Sequence, residues 1–182
     1  MTLYVSDLDG TLLRSDQTLS VETVSTLNML MADGVMFTYA TARSFSSAAP
    51  LVSALKLTIP AVIFNGVFVV DPKTGEHLIE NVFSEESFEL AQDYFIANNL
   101  APLVYSFIDG RERVSYLKDR LDKVRGYVES RRGDKRLRPV RSYRELFKGS
   151  VFYFTLFNPE NPAEMDGIFS RGNGFSRNYM KD

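Results

Sequence analysis

Two aspartates in the run Asp7-Leu8-Asp9-Gly10-Thr11 are separated by a single leucine and follow directly on a short apolar stretch, residues 3–6. Carboxylates so placed suit phosphoryl transfer assisted by a divalent cation. The first can attack phosphorus and form an aspartyl-phosphate, while a hard cation offsets its charge and that of the phosphate. The second, when protonated, can give its proton to the leaving oxygen and afterwards take one from water. Gly10 lets the backbone turn its amides toward a phosphate, and Thr11 adds a hydroxyl donor. The same letters also describe an ordinary Asp-Gly turn closing a strand, so position has to decide.

Two further signals stand at comparable positions. Ala40-Thr41-Ala42-Arg43-Ser44 follows the apolar run 35–39, and a hydroxyl there, beside a helix N-terminus, can hold a phosphate oxygen. Taken alone, Thr41 reads as an ordinary helix cap. Asn65-Gly66 follows the run 61–64. Asn-Gly is also the strongest two-residue hairpin turn, yet 67–70 already has a convincing hairpin partner on its other side.

The elements that must position these residues can be read from periodicity. Residues 3–6 predict a strand. Ser20 predicts the cap of a helix whose stripe is Val21, Val24, Leu27, Leu30 and Met31, stopped by Gly34. Residues 35–39 predict a second strand, apolar enough to be covered on both faces. A second helix is expected over 44–55, starting near Ser46 or Ser47 so that Pro50 falls in its first turn. Residues 61–64 predict a third strand. Strand, helix, strand, helix, strand predicts a parallel α/β sheet with right-handed crossovers.

Beyond residue 66 the pattern changes. Residues 67–70 and 77–82 flank Asp71-Pro72-Lys73-Thr74-Gly75 and predict an antiparallel hairpin. Ser84 caps a helix with Glu85 and Glu86 in its first turn and Phe88, Ala91, Tyr94 and Phe95 on its apolar face. Asp109-Gly110 joins strands 103–108 and 113–117. A helix over 119–132, ended by Gly133, and a strand over 150–157 follow. Pro159 and Pro162 open a helix through Met165, Ile168 and Phe169, and after Arg171 no period remains. The chain thus divides into 1–82, the N-terminal half of a Rossmann-like core; 83–171, an α+β domain; and 172–182, an irregular tail.

Composition removes several classes. Lys+Arg 21 against Asp+Glu 23 gives a net charge of −2, so no nucleic-acid or membrane-surface partner is marked. The local basic run Arg131, Arg132, Lys135, Arg136, Arg138 and Arg141 reads as a solvated helix end or as a surface attractive to anionic substrates. With no cysteine there is neither disulfide nor thiolate metal site, and the single histidine, His77, excludes multi-histidine zinc. No stretch nears the ~18 apolar residues of a membrane span, and no signal segment opens the chain. A cytoplasmic protein is expected.

Taken together, Asp7-x-Asp9-Gly10-Thr11, Thr41-Ala42-Arg43 and Phe64-Asn65-Gly66, at these intervals, resemble the haloacid dehalogenase (HAD) superfamily. Within it they look like the Cof-like branch of sugar-phosphate phosphatases, over residues 1 to about 169. The resemblance implies a Mg²⁺-dependent phosphatase of small phosphorylated metabolites. Asp7 would be its nucleophile, Asp9 its acid/base, and Thr41 a ligand of the transferring phosphoryl group. Mg²⁺ would be held by the Asp7 side chain and the Asp9 backbone carbonyl. The candidate phosphate-binding set is Gly10, Thr11, Thr41, Ala42, Arg43, Asn65 and Gly66. The branch inserts a large α+β cap after the third core strand, which matches the change of pattern near Val82. Ala42 stands where the branch often has glycine.

Members of the family continue past the cap with a lysine that neutralises the phosphorylated nucleophile and a Gly-Asp-x-x-x-Asp loop that completes the metal shell. Neither appears: Gly133-Asp134 is followed by Lys135, Arg136, Leu137 and Arg138, and Lys181 stands outside any predicted element. The expectation is therefore a C-terminally truncated member with an incomplete sheet, weak Mg²⁺ binding and little turnover. Its first strand would be an edge, covered by a second copy in a homodimer, by the tail, or by a complementing chain. Three readings stay open: a phosphatase, a non-catalytic remnant or binding module, and one half of a complemented enzyme.

Overall fold

Strand β1, Leu3–Ser6, runs parallel to β2, Met36–Tyr39, in the register Leu3↔Met36 to Ser6↔Tyr39. A parallel bridge between Ala40 and Val62 brings β3, Ala61–Ile63, alongside β2. The chain then reverses twice, so that β4, Phe68–Val70, lies antiparallel to β3, and β5, His77–Glu80, antiparallel to β4. The computed structural model describes residues 2–157 and Met165. They fall into two units, one ending at Asn81 and one beginning at Val82.

In the first unit, helix α1, Val21–Ala32, connects β1 to β2, and α2, Phe45–Val52, connects β2 to β3. Ser20 caps α1 by accepting a hydrogen bond from the Thr23 N–H at 2.9 Å. Asn28 then ties the helix to the end of the next crossover, donating to the Ala54 carbonyl and accepting from Lys56 N–H. The predicted stripe is only half buried: Val24, Leu27 and Met31 are partly covered, whereas Val21 is 87% exposed because it is the first helical residue. Burial concentrates on β2, β3 and β4, where Phe37, Tyr39, Ile63, Phe68 and Val70 are buried. Strand β1 differs: Leu3, Tyr4 and Val5 are 45%, 57% and 51% exposed, and among the described residues it pairs with β2 alone.

Helix α2 corrects one expectation. Ser44 caps it and it begins at Phe45, which leaves Pro50 inside the helix rather than in its first turn. The missing Pro50 N–H removes one intrahelical bond, consistent with a helix that stops at Val52.

The second unit holds a four-stranded sheet in the order β8-β7-β6-β9. Strands β6, Leu103–Ile108, and β7, Arg111–Leu117, form a hairpin whose turn residues, Asp109 at φ +51° and Gly110 at φ +70°, are both left-handed, as a tight twisted hairpin requires. Helix α3, Glu85–Ala97, is capped by Ser84 and contributes Ala91 and Phe95 to a core shared with Val104, Leu117, Leu146 and Val151. Helix α4, Leu121–Ser130, leads from β7 to β8, and β9, Ser150–Thr155, closes the sheet on β6.

Two elements here escape the sequence pattern: β8, Leu137–Val140, and the short α5, Tyr143–Leu146. Strand β8 carries two arginine-flanked positions and Pro139, which reads as loop. It is tolerated because β8 is an outer strand, where a missing N–H interrupts no central ladder. The basic run is also largely spoken for. Arg136 pairs with Glu112 at 2.7 Å and Asp134 at 2.6 Å, Arg138 donates to the Glu145 carbonyl at 2.7 Å, and Arg131 lies 3.8 Å above the Tyr127 ring. The helix expected through Ile168 and Phe169, and the tail after Arg171, lie outside the described residues.

Candidate active site

Three backbone hydrogen bonds bring the three motifs to one end of the parallel strands. Ala40 N–H donates to the Ser6 carbonyl at 2.9 Å, Thr41 N–H to Val62 at 3.0 Å, and Asn65 N–H to Thr41 at 3.0 Å. Asp7, Thr41 and Asn65 therefore leave three neighbouring strands at their carboxyl ends, the side on which open α/β sheets hold ligands.

The first motif alternates about its leucine. Leu8 is fully buried, which anchors the turn, while Asp7 and Asp9 on either side are exposed. The backbone then coils tightly enough for Leu13 N–H to reach the Leu8 carbonyl at 2.8 Å. Gly10 sits at φ +73° with nothing within 4 Å of where a Cβ would stand. The glycine is needed for its backbone conformation and not for space.

Arg43 connects the second motif to the first. Its Nε donates to Asp9 Oδ2 and its Nη2 to Asp9 Oδ1, both at 2.7 Å, in a bidentate fork. These hydrogen bonds hold the Asp9 carboxyl below the usual carboxylate range, outweighing the opposing effect of partial burial. The same contacts raise the Arg43 guanidinium further. Thr41 is buried, and its Oγ1 accepts from Arg43 N–H at 3.2 Å. Ala42 takes no left-handed backbone, so an alanine serves there as well as a glycine.

The third motif corrects an expectation: β4 pairs with both β5 and β3, so Asn65-Gly66 does lie in the turn of a hairpin, with Ile63 opposite Phe68. That turn has three successive left-handed residues, Phe64 at φ +49°, Asn65 at +55° and Gly66 at +98°. A buried phenylalanine in that region is strained by roughly 1–3 kcal/mol, so the surroundings must impose it. They do so through Phe64 N–H on the Arg43 carbonyl at 3.1 Å and Asn81 Nδ2 on the Gly66 carbonyl at 2.9 Å.

Asp9, Arg43, Thr41 and Asn65 are thus linked in one chain of hydrogen bonds at the strand ends, with Asp7, Ala42 and Gly66 adjoining them in sequence and Gly10 and Thr11 exposed in the first turn. Among the described residues no three His, Asp or Glu side chains converge as a metal site. The oxygens present, the Asp7 carboxylate and the Asp9 carbonyl, are the hard donors that Mg²⁺ accepts, and the Asp9 carboxylate is committed to Arg43. Sequence reasoning missed Gln17, Ser47 and Asn81. Ser47 could have been found from its place one helical turn after Arg43, whereas Gln17 and Asn81 sit in loops without any pattern.

The haloacid dehalogenase-like hydrolase family model matches residues 4–169. The 5-amino-6-(5-phospho-D-ribitylamino)uracil phosphatase YitU of Bacillus subtilis (strain 168) is 41% identical over 71 residues, 39% of this chain and 26% of that protein. Among solved structures, the phosphatase BT1666 of Bacteroides thetaiotaomicron superposes with a TM-score of 0.69 at 18% identity, over 93% of this chain and 61% of that one. The HAD subclass IIB sugar phosphatase BT4131 gives 0.65 at 15% identity, over 93% and 63%. The chain spans under two thirds of the length of each of these relatives. By the family match, and by a fold that carries the three motifs to one sheet end, the chain belongs to the haloacid dehalogenase-like hydrolases, in their Cof-like branch.

Proposed function

We propose that this chain carries the nucleophile half of a phosphatase acting on small phosphorylated metabolites, sugar phosphates among them, through an aspartyl-phosphate on Asp7. The observation that carries the reading is the shared strand-end frame of Asp7, Thr41 and Asn65, with Arg43 forked on Asp9. The names of its relatives support the substrate class: one is a phosphatase of a phosphoribityl compound and another a sugar phosphatase.

Asp7, exposed at the end of β1, attacks the phosphorus atom. Thr41, with the main-chain N–H groups of Gly10, Thr11, Ala42 and Gly66, orients the phosphate oxygens, while Arg43 and Asn65, whose own N–H groups are held by Thr41, shape the turns that present them. Asp9 handles the proton. The Arg43 fork favours its ionised form, which is the form that accepts a proton from water at Oδ1 or Oδ2 in the second half-reaction. To protonate the leaving oxygen first, Asp9 must loosen that fork. Mg²⁺, when bound by the Asp7 carboxylate and the Asp9 carbonyl, supplies positive charge that offsets the meeting of two anions. With two protein oxygens in the described set, its affinity is weak and turnover by this chain alone is low.

One observation favours a second reading, that of a chain needing a partner. The exposed β1 edge fits cover by a second copy in a homodimer or by a complementing chain. No helix among the described residues is long and apolar enough to cross a membrane, and we infer a cytoplasmic setting. Phosphate release from a sugar-phosphate panel in excess Mg²⁺, with Asp7→Asn alongside, tests the proposal. A small release that vanishes in Asp7→Asn is expected; equal rates in both proteins would sink the phosphatase reading.

A further inference from the structure

A guanidinium has five N–H donors in a fixed plane, and four hydrogen bonds of Arg43 are resolved. Two go to Asp9. A third runs from Nη1 to Ser47 Oγ at 3.3 Å and a fourth from Nη2 to Gln17 Oε1 at 3.0 Å. Ser47 rides on the same helix start as Arg43, so its contact follows from local geometry. Gln17 comes from a loop after the first motif and has no such reason to be there.

The loop is built to present that amide. Gln17 N–H donates to the Arg14 carbonyl and Arg14 N–H to the Thr18 carbonyl, both at 2.9 Å. Asp16 Oδ1 accepts from Thr18 N–H at 3.0 Å and from Thr18 Oγ1 at 2.6 Å, closing the loop upon itself. Within it Gln17 lies at φ +62°, a conformation that suits glycine or asparagine and disfavours a long side chain. A strained glutamine whose side-chain oxygen ends on a guanidinium is an outlier with an evident use.

We propose that Gln17 is a positioning residue that keeps the Arg43 guanidinium turned edge-on to Asp9. Nη2 carries two protons. One is on Asp9 Oδ1, and Gln17 takes the other, so the guanidinium cannot pivot about its long axis without breaking two hydrogen bonds on the same nitrogen. Ser47 fixes the far nitrogen. The Nε–Nη2 edge is thereby left facing the carboxylate. The consequence for chemistry rests on the reading of Asp9 as the proton-handling group; the positioning itself does not.

The test reads Arg43 directly, by the solvent exchange of its Nε–H signal in the nitrogen-15-labelled full chain. Gln17→Gly relieves the left-handed backbone and removes the acceptor. Gln17→Met keeps the length and removes the acceptor, and Gln17→Glu keeps an acceptor oxygen at the same reach. Loss of one hydrogen bond of ordinary strength corresponds to roughly fivefold faster exchange, expected in Gln17→Gly and Gln17→Met and absent in Gln17→Glu. The Thr18 N–H reports in each variant that the loop is intact, and Gln17→Met decides if Gln17→Gly disturbs it. Unchanged exchange in Gln17→Met, or loss of protection in Gln17→Glu, overturns the assignment. The measurement needs no turnover, so a chain without Asp7-dependent phosphate release still answers it.

Discussion

The backbone N–H of Asn65 donates to the Thr41 carbonyl at 3.0 Å, which makes the second and third motifs parts of one turn-on-turn arrangement. Thr41 serves it twice, because its buried Oγ1 also accepts from Arg43 N–H at 3.2 Å. Thr41→Val keeps the volume and removes that acceptor, leaving an N–H without its partner beside the site. The expected cost is about 1 kcal/mol in urea denaturation, together with weaker binding of inorganic phosphate. Thr41→Ser restores the acceptor and should recover most of both; equal behaviour of Val and Ser would show that the hydroxyl is idle.

In the second unit, Asp134 grips Arg136 through both carboxylate oxygens, the shortest contact being 2.6 Å. Its carboxyl is held below the ordinary value of 3.8, chiefly by the hydrogen bonds from Arg136. A group whose pKa is depressed by folding adds stability above its unfolded value and loses it as pH falls through the folded one. Asp134→Asn should therefore cost about 1 kcal/mol at neutral pH, and less than a lone pair would because Glu112 still holds Arg136 at 2.7 Å. Below pH 3.8 the stabilities of the two proteins should converge. A gap that persists undiminished in acid would assign the effect to packing and not to charge.

The strand-end position of the three motifs was legible because each follows an apolar run, and a parallel sheet carries every such run to the same side. Asp7, Thr41 and Asn65 could be placed from periodicity alone. The bond between Arg43 and Asp9 could not, since it spans 34 positions and depends on which way a guanidinium turns. Gln17 and Asn81 were invisible for a related reason: they act from loops, where neither the two-residue nor the helical period applies. Strand β8 was lost to Arg138, Pro139 and the arginine just before it, Arg136, whose charge is paired with Glu112 on the neighbouring strand, 24 positions away in sequence. Helix α2 shows local signals being overridden, for Ser44 caps it early enough to enclose Pro50.

Among the described residues two hydroxyls are buried without hydrogen-bond partners, Tyr39 OH and Ser106 Oγ. Tyr39 is 1% exposed on β2, and burial alone pushes its phenol up. Ser106 is fully buried on β6. A hydroxyl dehydrated without compensation costs about 1–3 kcal/mol. Tyr39→Phe and Ser106→Ala should each raise thermal stability, by roughly 1 kcal/mol, against the usual direction of core substitution. Destabilisation by either change would reveal a bound water or ligand that the hydroxyl holds.

Strand β1 presents a backbone edge and apolar side chains on both its faces. Leu3 and Val5 point one way and Tyr4 the other, and all three are about half exposed, at 45%, 51% and 57%. Its neighbour β2 is buried, so the exposure is a property of the edge and not of the unit. Such an edge offers unpaired N–H and C=O groups together with apolar area worth roughly 25 cal/mol per Å² on burial, and natural proteins blunt edges of this kind with charge. Concentration-dependent association is therefore expected in sedimentation, with slow amide exchange along β1 in the associated form. Val5→Lys places a charge on that edge and leaves every hydrogen bond of the site untouched, because Val5 pairs only with Thr38 in the parallel ladder. It should shift the protein toward monomer and speed exchange at Tyr4 and Val5. A wild-type chain that stays monomeric at high concentration, with these amides already exchanging rapidly, would show that the edge is left bare and that its apolar residues recruit no partner.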